Sequence, residues 1–134
     1  MSSFRIFDIA GSALSAQSAR LNTVASNLAN ADAVSGDADT VYKARLPVFK
    51  AVAEPGDASA SVQVLGIVES AAPPDRRHEP GHPLADAEGY VYAPNVNVVE
   101  EMVNMISAAR SYQSSVEVMN TAKDLALRTL TLGK

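Results

Sequence analysis

The sequence predicts an α+β chain in which long N- and C-terminal helices pair in coiled-coil fashion and enclose a small β-rich, loop-rich middle domain. Three observations predict it. Helix breakers gather in the centre, with all seven prolines between Pro47 and Pro94 and five of the seven glycines between Gly36 and Gly89. Apolar residues recur at heptad spacing towards both ends. Short runs of β-branched and aromatic residues, bounded by turn residues, occupy the middle. The expected division is 1–32 for the first helix, 33–95 for the middle and 96–134 for the second helix.

The N-terminal stripe consists of Phe7, Leu14, Leu21 and Leu28, seven apart. Ala10, Val24 and Ala31 lie three residues beyond three of them, and Gln17 takes the remaining slot. Serine, asparagine and arginine occupy the other faces, as expected of a narrow coiled-coil seam. A helix from Phe4 to Asn30 would be roughly 40 Å long at 1.5 Å per residue. Asn30, Asp32 and Gly36 supply turn chemistry to stop it, and the side chains of Asn27 and Asn30 are expected to hydrogen-bond at its end.

In the middle, 41–46 (Val-Tyr-Lys-Ala-Arg-Leu) and 61–68 (Ser-Val-Gln-Val-Leu-Gly-Ile-Val) read as strands, and 90–92 (Tyr-Val-Tyr) as a third. Turn signals flank them at 54–57 and 73–75. The proline-rich stretch 72–93 reads as extended loop.

The C-terminal stripe follows Met102, Met105, Ala109, Tyr112, Val116 and Met119, and resumes at Ala126 and Leu130. Asn97 followed by Glu100 forms an asparagine version of a capping box, and Glu101 adds charge that suits the positive end of the helix dipole. Lys123 and Arg128 sit towards the other end, and Gly133 terminates the helix.

Composition excludes several classes of function. The net charge is −4 and the longest basic run is Arg76-Arg77, too little for the phosphate neutralisation that drives nucleic-acid binding. With no cysteine there is no disulfide, thiolate nucleophile or cysteine metal site. Asp8, Ser12, Ser15, Gln17 and Ser18 interrupt every candidate secretory h-region, so an exported chain would use a route without signal cleavage.

Chemical readings are weaker than their structural alternatives. His78, His82, Asp86 and Glu88 lie on a proline-rich loop, which does not arrange them as metal ligands, and solvated polar groups explain them. Glu100 and Glu101 point about 100° apart on a helix and suit its first turn rather than an acid–base pair. Ser111, Ser114 and Ser115 have no base at a predictable distance. No catalytic residue, metal, cofactor or small-molecule substrate is expected.

Both helices carry apolar residues beyond one seam, among them Ile6 and Ile9 on the first and Val103, Ile106 and Leu127 on the second. Such faces call for neighbouring subunits, and a head-to-tail contact that does not close generates a helical filament. A helical hairpin packed on its own β domain remains the alternative at this level.

Four collinear stretches carry a resemblance. They are 7–14 (Phe-Asp-Ile-Ala-Gly-Ser-Ala-Leu), 25–32 (Ala-Ser-Asn-Leu-Ala-Asn-Ala-Asp), 79–91 (from Glu-Pro-Gly-His-Pro-Leu to Gly-Tyr-Val) and 94–104, which continues through 109–113 to 118–123. Together they resemble the flagellar basal-body rod protein family, whose first helix closes on Asn-Leu-Ala-Asn, and within it the proximal-rod branch. His82 stands where that branch commonly has Asn.

The resemblance implies a structural subunit, unfolded for type III export and assembled in the periplasm without signal cleavage. Its implied partners are other proximal-rod subunits, copies of itself and the adaptor joining rod to membrane ring, in a helical hetero-oligomer that carries torque and encloses an export channel. The terminal helices form the inner layer. Expected packing and interface positions are Phe7, Leu14, Leu21, Val24, Asn27, Leu28 and Asn30 on the first helix. On the second they are Met102, Met105, Ile106, Tyr112, Val116, Met119, Leu127 and Leu130. A cytosolic coiled-coil binding module, or a small hydrolase with metal on the His78/His82 loop, are the competing classes.

Overall fold

The computed structural model describes residues 3–134, with side chains from Phe4 onward; Met1 and Ser2 of the expected first segment lie outside the described residues. The element order is α1 (Ser3–Ala29), β1 (Arg45–Ala53), β2 (Ala60–Glu69), β3 (Asp75–His78), β4 (Tyr90–Ala93) and α2 (Val98–Leu132). Two long terminal helices and a small stranded middle make this an α+β chain.

Helix α1 runs 27 residues without proline. Asn30 ends it, its backbone N–H at 3.2 Å and its Nδ2 at 2.8 Å both donating to the Ser26 carbonyl, so the side chain reinforces the closing bond of the last turn. Helix α2 runs 35 residues. Asn97 caps it, because Asn97 Oδ1 accepts the Glu100 N–H at 3.2 Å and the Asn97 carbonyl accepts the Glu101 N–H at 2.9 Å.

The strands depart from expectation in two places. The expected strand at 41–46 begins only at Arg45 and continues through Pro47 to Ala53. β1 can hold Pro47 because in a two-stranded sheet each strand keeps one free edge, where a missing N–H removes no ladder bond. The stretch 75–78, read as loop, is strand β3, paired antiparallel with β4 in the register Asp75↔Ala93 to His78↔Tyr90. Its sequence, Asp-Arg-Arg-His, has no β propensity, and pairing with the apolar β4 creates it.

The chain forms two compact units. One draws on the chain up to Leu21, on Pro47–Gly66 and on Ile106–Lys134. Here the β1–β2 hairpin turns at Gly56 (φ +86°), with the Asp57 N–H on the Glu54 carbonyl at 3.1 Å. The Val62 N–H of β2 donates to Ser12 Oγ on α1 at 3.0 Å. The deepest positions are alanines: Ala10 and Ala16 on α1, Ala108 and Ala122 on α2.

The other unit is formed by Asn22–Leu46 and Ile67–Met105. Its core holds Val24, Val41, Ala44, Val91 and Ala93. Ser35 bridges to Tyr92 through two 2.8 Å backbone bonds, adding an antiparallel partner on the far side of β4. Asn95 is a clamp: Oδ1 accepts the Ala44 N–H and Nδ2 donates to the Ala72 carbonyl, both at 2.7 Å.

Candidate assembly interface

Asn27 is 1% exposed and uses every hydrogen-bonding position of its amide. Nδ2 donates to the Arg45 carbonyl at 2.9 Å and to Glu101 Oε2 at 3.0 Å. Oδ1 accepts the Arg45 N–H and the Tyr42 hydroxyl, both at 2.8 Å. Since Tyr42 spends its one proton on Asn27, the Ser26 hydroxyl, 3.1 Å away, donates to Tyr42. Arg45 offers both a backbone donor and a backbone acceptor, which leaves the amide one orientation. The last turns of α1, the start of β1 and the first turn of α2 thus meet on one side chain.

Glu101, expected as a first-turn acid that suits the helix dipole, is buried. It is 7% exposed, and its carboxylate accepts from Asn27 and, at a longer 3.5 Å, from Asn104. Burial of a carboxylate is tolerable here because amide donors and the α2 N-terminus face it. Tyr42, Arg45, Asn95 and Glu101 escaped sequence reasoning. One signal pointed to Glu101: it opens the heptad series Glu101, Ala108, Ser115, Ala122, which is the most buried line of α2.

That line runs one residue ahead of the expected Met102–Ala109–Val116 line. On α1 the buried positions are Ala10, Ala16, Thr23, Val24 and Asn27. Of the expected positions, Val24 and Asn27 are buried, while Phe7, Leu14, Leu21, Leu28 and Asn30 are half-buried. Met105, Val116 and Met119 are half-buried, and Met102, Ile106, Tyr112, Leu127 and Leu130 are exposed.

Among the described residues no Leu, Ile, Met or Phe is fully buried. These types are ordinarily the most buried of all. On α2, Val99, Met102, Val103 and Ile106 are each more than half exposed at spacings of three and four, which makes a continuous apolar face. In the first unit an apolar groove of about 300 Å³ lies open among Ile6, Ile9, Ala10, Ala13, Ser115 and Val118. No helix among the described residues is long and apolar enough to cross a membrane.

The His78/His82 loop is built for shape. Asp86 Oδ1 accepts the N–H groups of Glu88 and Tyr90, His82 Nδ1 accepts the Leu84 N–H, and the His78 ring stands edge-on to Tyr90. Among the described residues no three His, Asp or Glu gather to hold a metal ion. Gly36 packs so closely on this loop that a Cβ there would lie 2.6 Å from the Leu84 carbonyl oxygen.

A helix at each end, an Asn-Leu-Ala-Asn turn and uncovered apolar faces suit a structural subunit, and comparison with known proteins places the chain among flagellar rod proteins. The family model "Flagella basal body rod protein" matches residues 7–36, and "Flagellar basal body rod FlgEFG protein C-terminal" matches 87–132. The chain is 58% identical to the flagellar basal-body rod protein FlgC of Salmonella typhimurium and to that of Escherichia coli O6:H1, over the whole of both chains. It is 41% identical to the FlgC of Buchnera aphidicola from Acyrthosiphon pisum, again over full length. The chain belongs to the FlgC family of flagellar basal-body rod proteins.

Proposed function

We propose that this chain is a structural subunit of the flagellar basal-body rod, built into its proximal segment, with no catalytic role. The observation that carries the reading is the inverted burial of the helices, which fully bury alanine and leave Met102, Ile106, Leu127 and Leu130 exposed. Such surface is costly in water, at about 25 cal/mol per Å², and its burial against neighbours drives association. Met102, Ile106, Tyr112, Leu127 and Leu130 take neighbouring subunits, and the half-buried Phe7, Leu14, Leu21, Leu28, Met105, Val116 and Met119 pack along the flanks of the helices. The neighbours are copies of itself, other proximal-rod subunits and the adaptor to the membrane ring. The chain reaches the periplasm through the flagellar export apparatus without signal cleavage, and once assembled carries torque around the export channel.

The test is deletion of the gene in its host and electron microscopy of isolated basal bodies. Loss of rod, hook and filament with the membrane ring retained is the expected result; intact rods overturn the reading.

A further inference from the structure

The N-terminal turns of α1 and the β1–β2 hairpin flank a cleft of about 410 Å³ lined by Phe4, Arg5, Asp8, Ile9, Val52, Glu54 and Ser61. The cleft is pinned at two levels of the helix. Arg5 Nε lies 2.8 Å from Asp57 Oδ2 and 3.0 Å from Ser59 Oγ on the hairpin turn. Seven residues on, Ser12 Oγ accepts the Val62 N–H at 3.0 Å while donating to the Ile9 carbonyl at 2.8 Å. Asp57 and Ser59 absorb Arg5, so the rim keeps the negative charge of Asp8 and Glu54. Asp8 makes no ion pair among the described residues, and Glu54, 75% exposed, reaches Arg5 only at 3.4 Å. Phe4, Ile9 and Val52 supply the apolar part of the lining, beside the Ser61 hydroxyl.

The last turns of α2 are the complement. Leu127, Leu130 and Leu132 are 52%, 69% and 87% exposed. Lys123, Leu127 and Leu130 share one helix face at i, i+4 and i+7, and Arg128 lies beside it. Neither Lys123 nor Arg128 makes an ion pair among the described residues.

We infer that the cleft receives the C-terminal turns of α2 from a second copy of this chain. Leucines rest on Phe4, Ile9 and Val52, and the basic residues meet Asp8 and Glu54. The apolar contact supplies affinity and the exposed charges set register, since rim ion pairs are individually weak. The contact joins two different surfaces and leaves one of each free, so it propagates. It rests on the reading of the chain as a rod subunit that touches copies of itself.

The absence of cysteine makes the test clean. Glu54→Cys and Arg128→Cys are placed on two differently tagged copies in one host cell, so a mixed disulfide forms only between molecules. Isolated basal bodies are oxidised with copper phenanthroline and resolved on non-reducing gels. A mixed dimer is expected, and it should be lost when Glu88→Cys replaces Glu54→Cys. Basal bodies that contain both tagged chains without the mixed dimer, or with same-residue dimers alone, overturn the contact and leave the rod reading standing. Absence of the tagged wild-type chain from basal bodies overturns the rod reading itself. A charge exchange covers failure of the cysteine variants to assemble: Glu54→Lys and Arg128→Glu should each reduce swimming, and the double variant should restore it. A double variant no better than the worse single overturns the contact.

Discussion

Asn27 Nδ2 donates a 3.0 Å hydrogen bond to Oε2 of Glu101, 74 residues further along the chain. A helix-end amide and a helix-start carboxylate therefore depend on each other, and both are buried.

Replacing Asn27 with Ala leaves the Arg45 N–H and carbonyl, the Tyr42 hydroxyl and the Glu101 carboxylate without this partner. A loss of about 3 kcal/mol is expected, since each buried group left unsatisfied costs about 1–3 kcal/mol. Urea unfolding followed by circular dichroism measures it, and a loss below about 1 kcal/mol would contradict the hub.

Asn27→Asp tests the same hub by charge. It sets a second carboxylate against Glu101, and the pair shares a proton because two like charges in contact cannot both ionise easily. The folded variant then binds a proton at a pH where the unfolded chain does not. Its stability should be highest in mild acid and fall as pH rises through the pair's raised pKa, whereas Asn27→Ala should show no such trend. Denaturant midpoints measured from mild acid to above neutrality separate the two variants.

Two glycines make opposite predictions. Gly36→Ala places a Cβ 2.6 Å from a backbone oxygen of Leu84, so the loop must move, at a cost of about 1–3 kcal/mol. Gly11 lies inside α1 with nothing within 4 Å of an added Cβ, so Gly11→Ala should stabilise the isolated chain by about 0.5–1 kcal/mol. Thermal unfolding of the pair decides it.

Asp57 carries a pH prediction. Hydrogen bonds from the Ser59 N–H and hydroxyl, reinforced by Arg5, hold its carboxyl below the ordinary value. A carboxylate with a depressed folded-state pKa contributes stability that is present above the unfolded value and lost as pH falls through the folded one. The loss should therefore fall below about pH 4, and Asp57→Asn should remove that part of the acid sensitivity. Carboxyl chemical shifts during an NMR titration should show Asp57 as the late-titrating aspartate, and an Asp57 midpoint at or above the ordinary value would contradict the contact.

Exposed and half-buried positions separate folding from assembly. Ile106→Ser and Leu130→Ser should change the stability of the isolated chain by less than about 0.5 kcal/mol, as substitutions at exposed sites do. They should nevertheless reduce the number of complete basal bodies counted by electron microscopy. Leu21→Asp and Val116→Asp, at half-buried positions, should lower stability as well as assembly. Normal rod numbers in all four variants would remove these residues from the interface.

The helices were legible because their signals are local. Breaker distribution, the Asn97 cap and heptad spacing place α1 and α2 within a residue or two of their ends. The choice of buried face was less legible, because heptad reading follows side-chain size and favours Met102 and Val116. The chain instead buries the line one residue away: two small alanines, Ala108 and Ala122, and the hydrogen-bonded Glu101. Strand β3 was hidden because Asp75–His78 owes its conformation to β4, its partner from 12 to 18 residues later. Glu101 was half visible: its place at the helix start was plain, but its burial depends on Asn27 and could not be read from charge alone.

The alanine positions of α1 and α2 have a thermodynamic consequence. A chain that buries Ala10, Ala16, Ala108 and Ala122, and leaves Met102, Ile106, Leu127 and Leu130 more than half exposed, should unfold with a small heat-capacity change for its length. The corresponding negative heat capacity should appear when subunits join, as leucine and methionine leave water. Cooling would then weaken the polymer more than the folded subunit, because most of the temperature-sensitive hydration belongs to assembly.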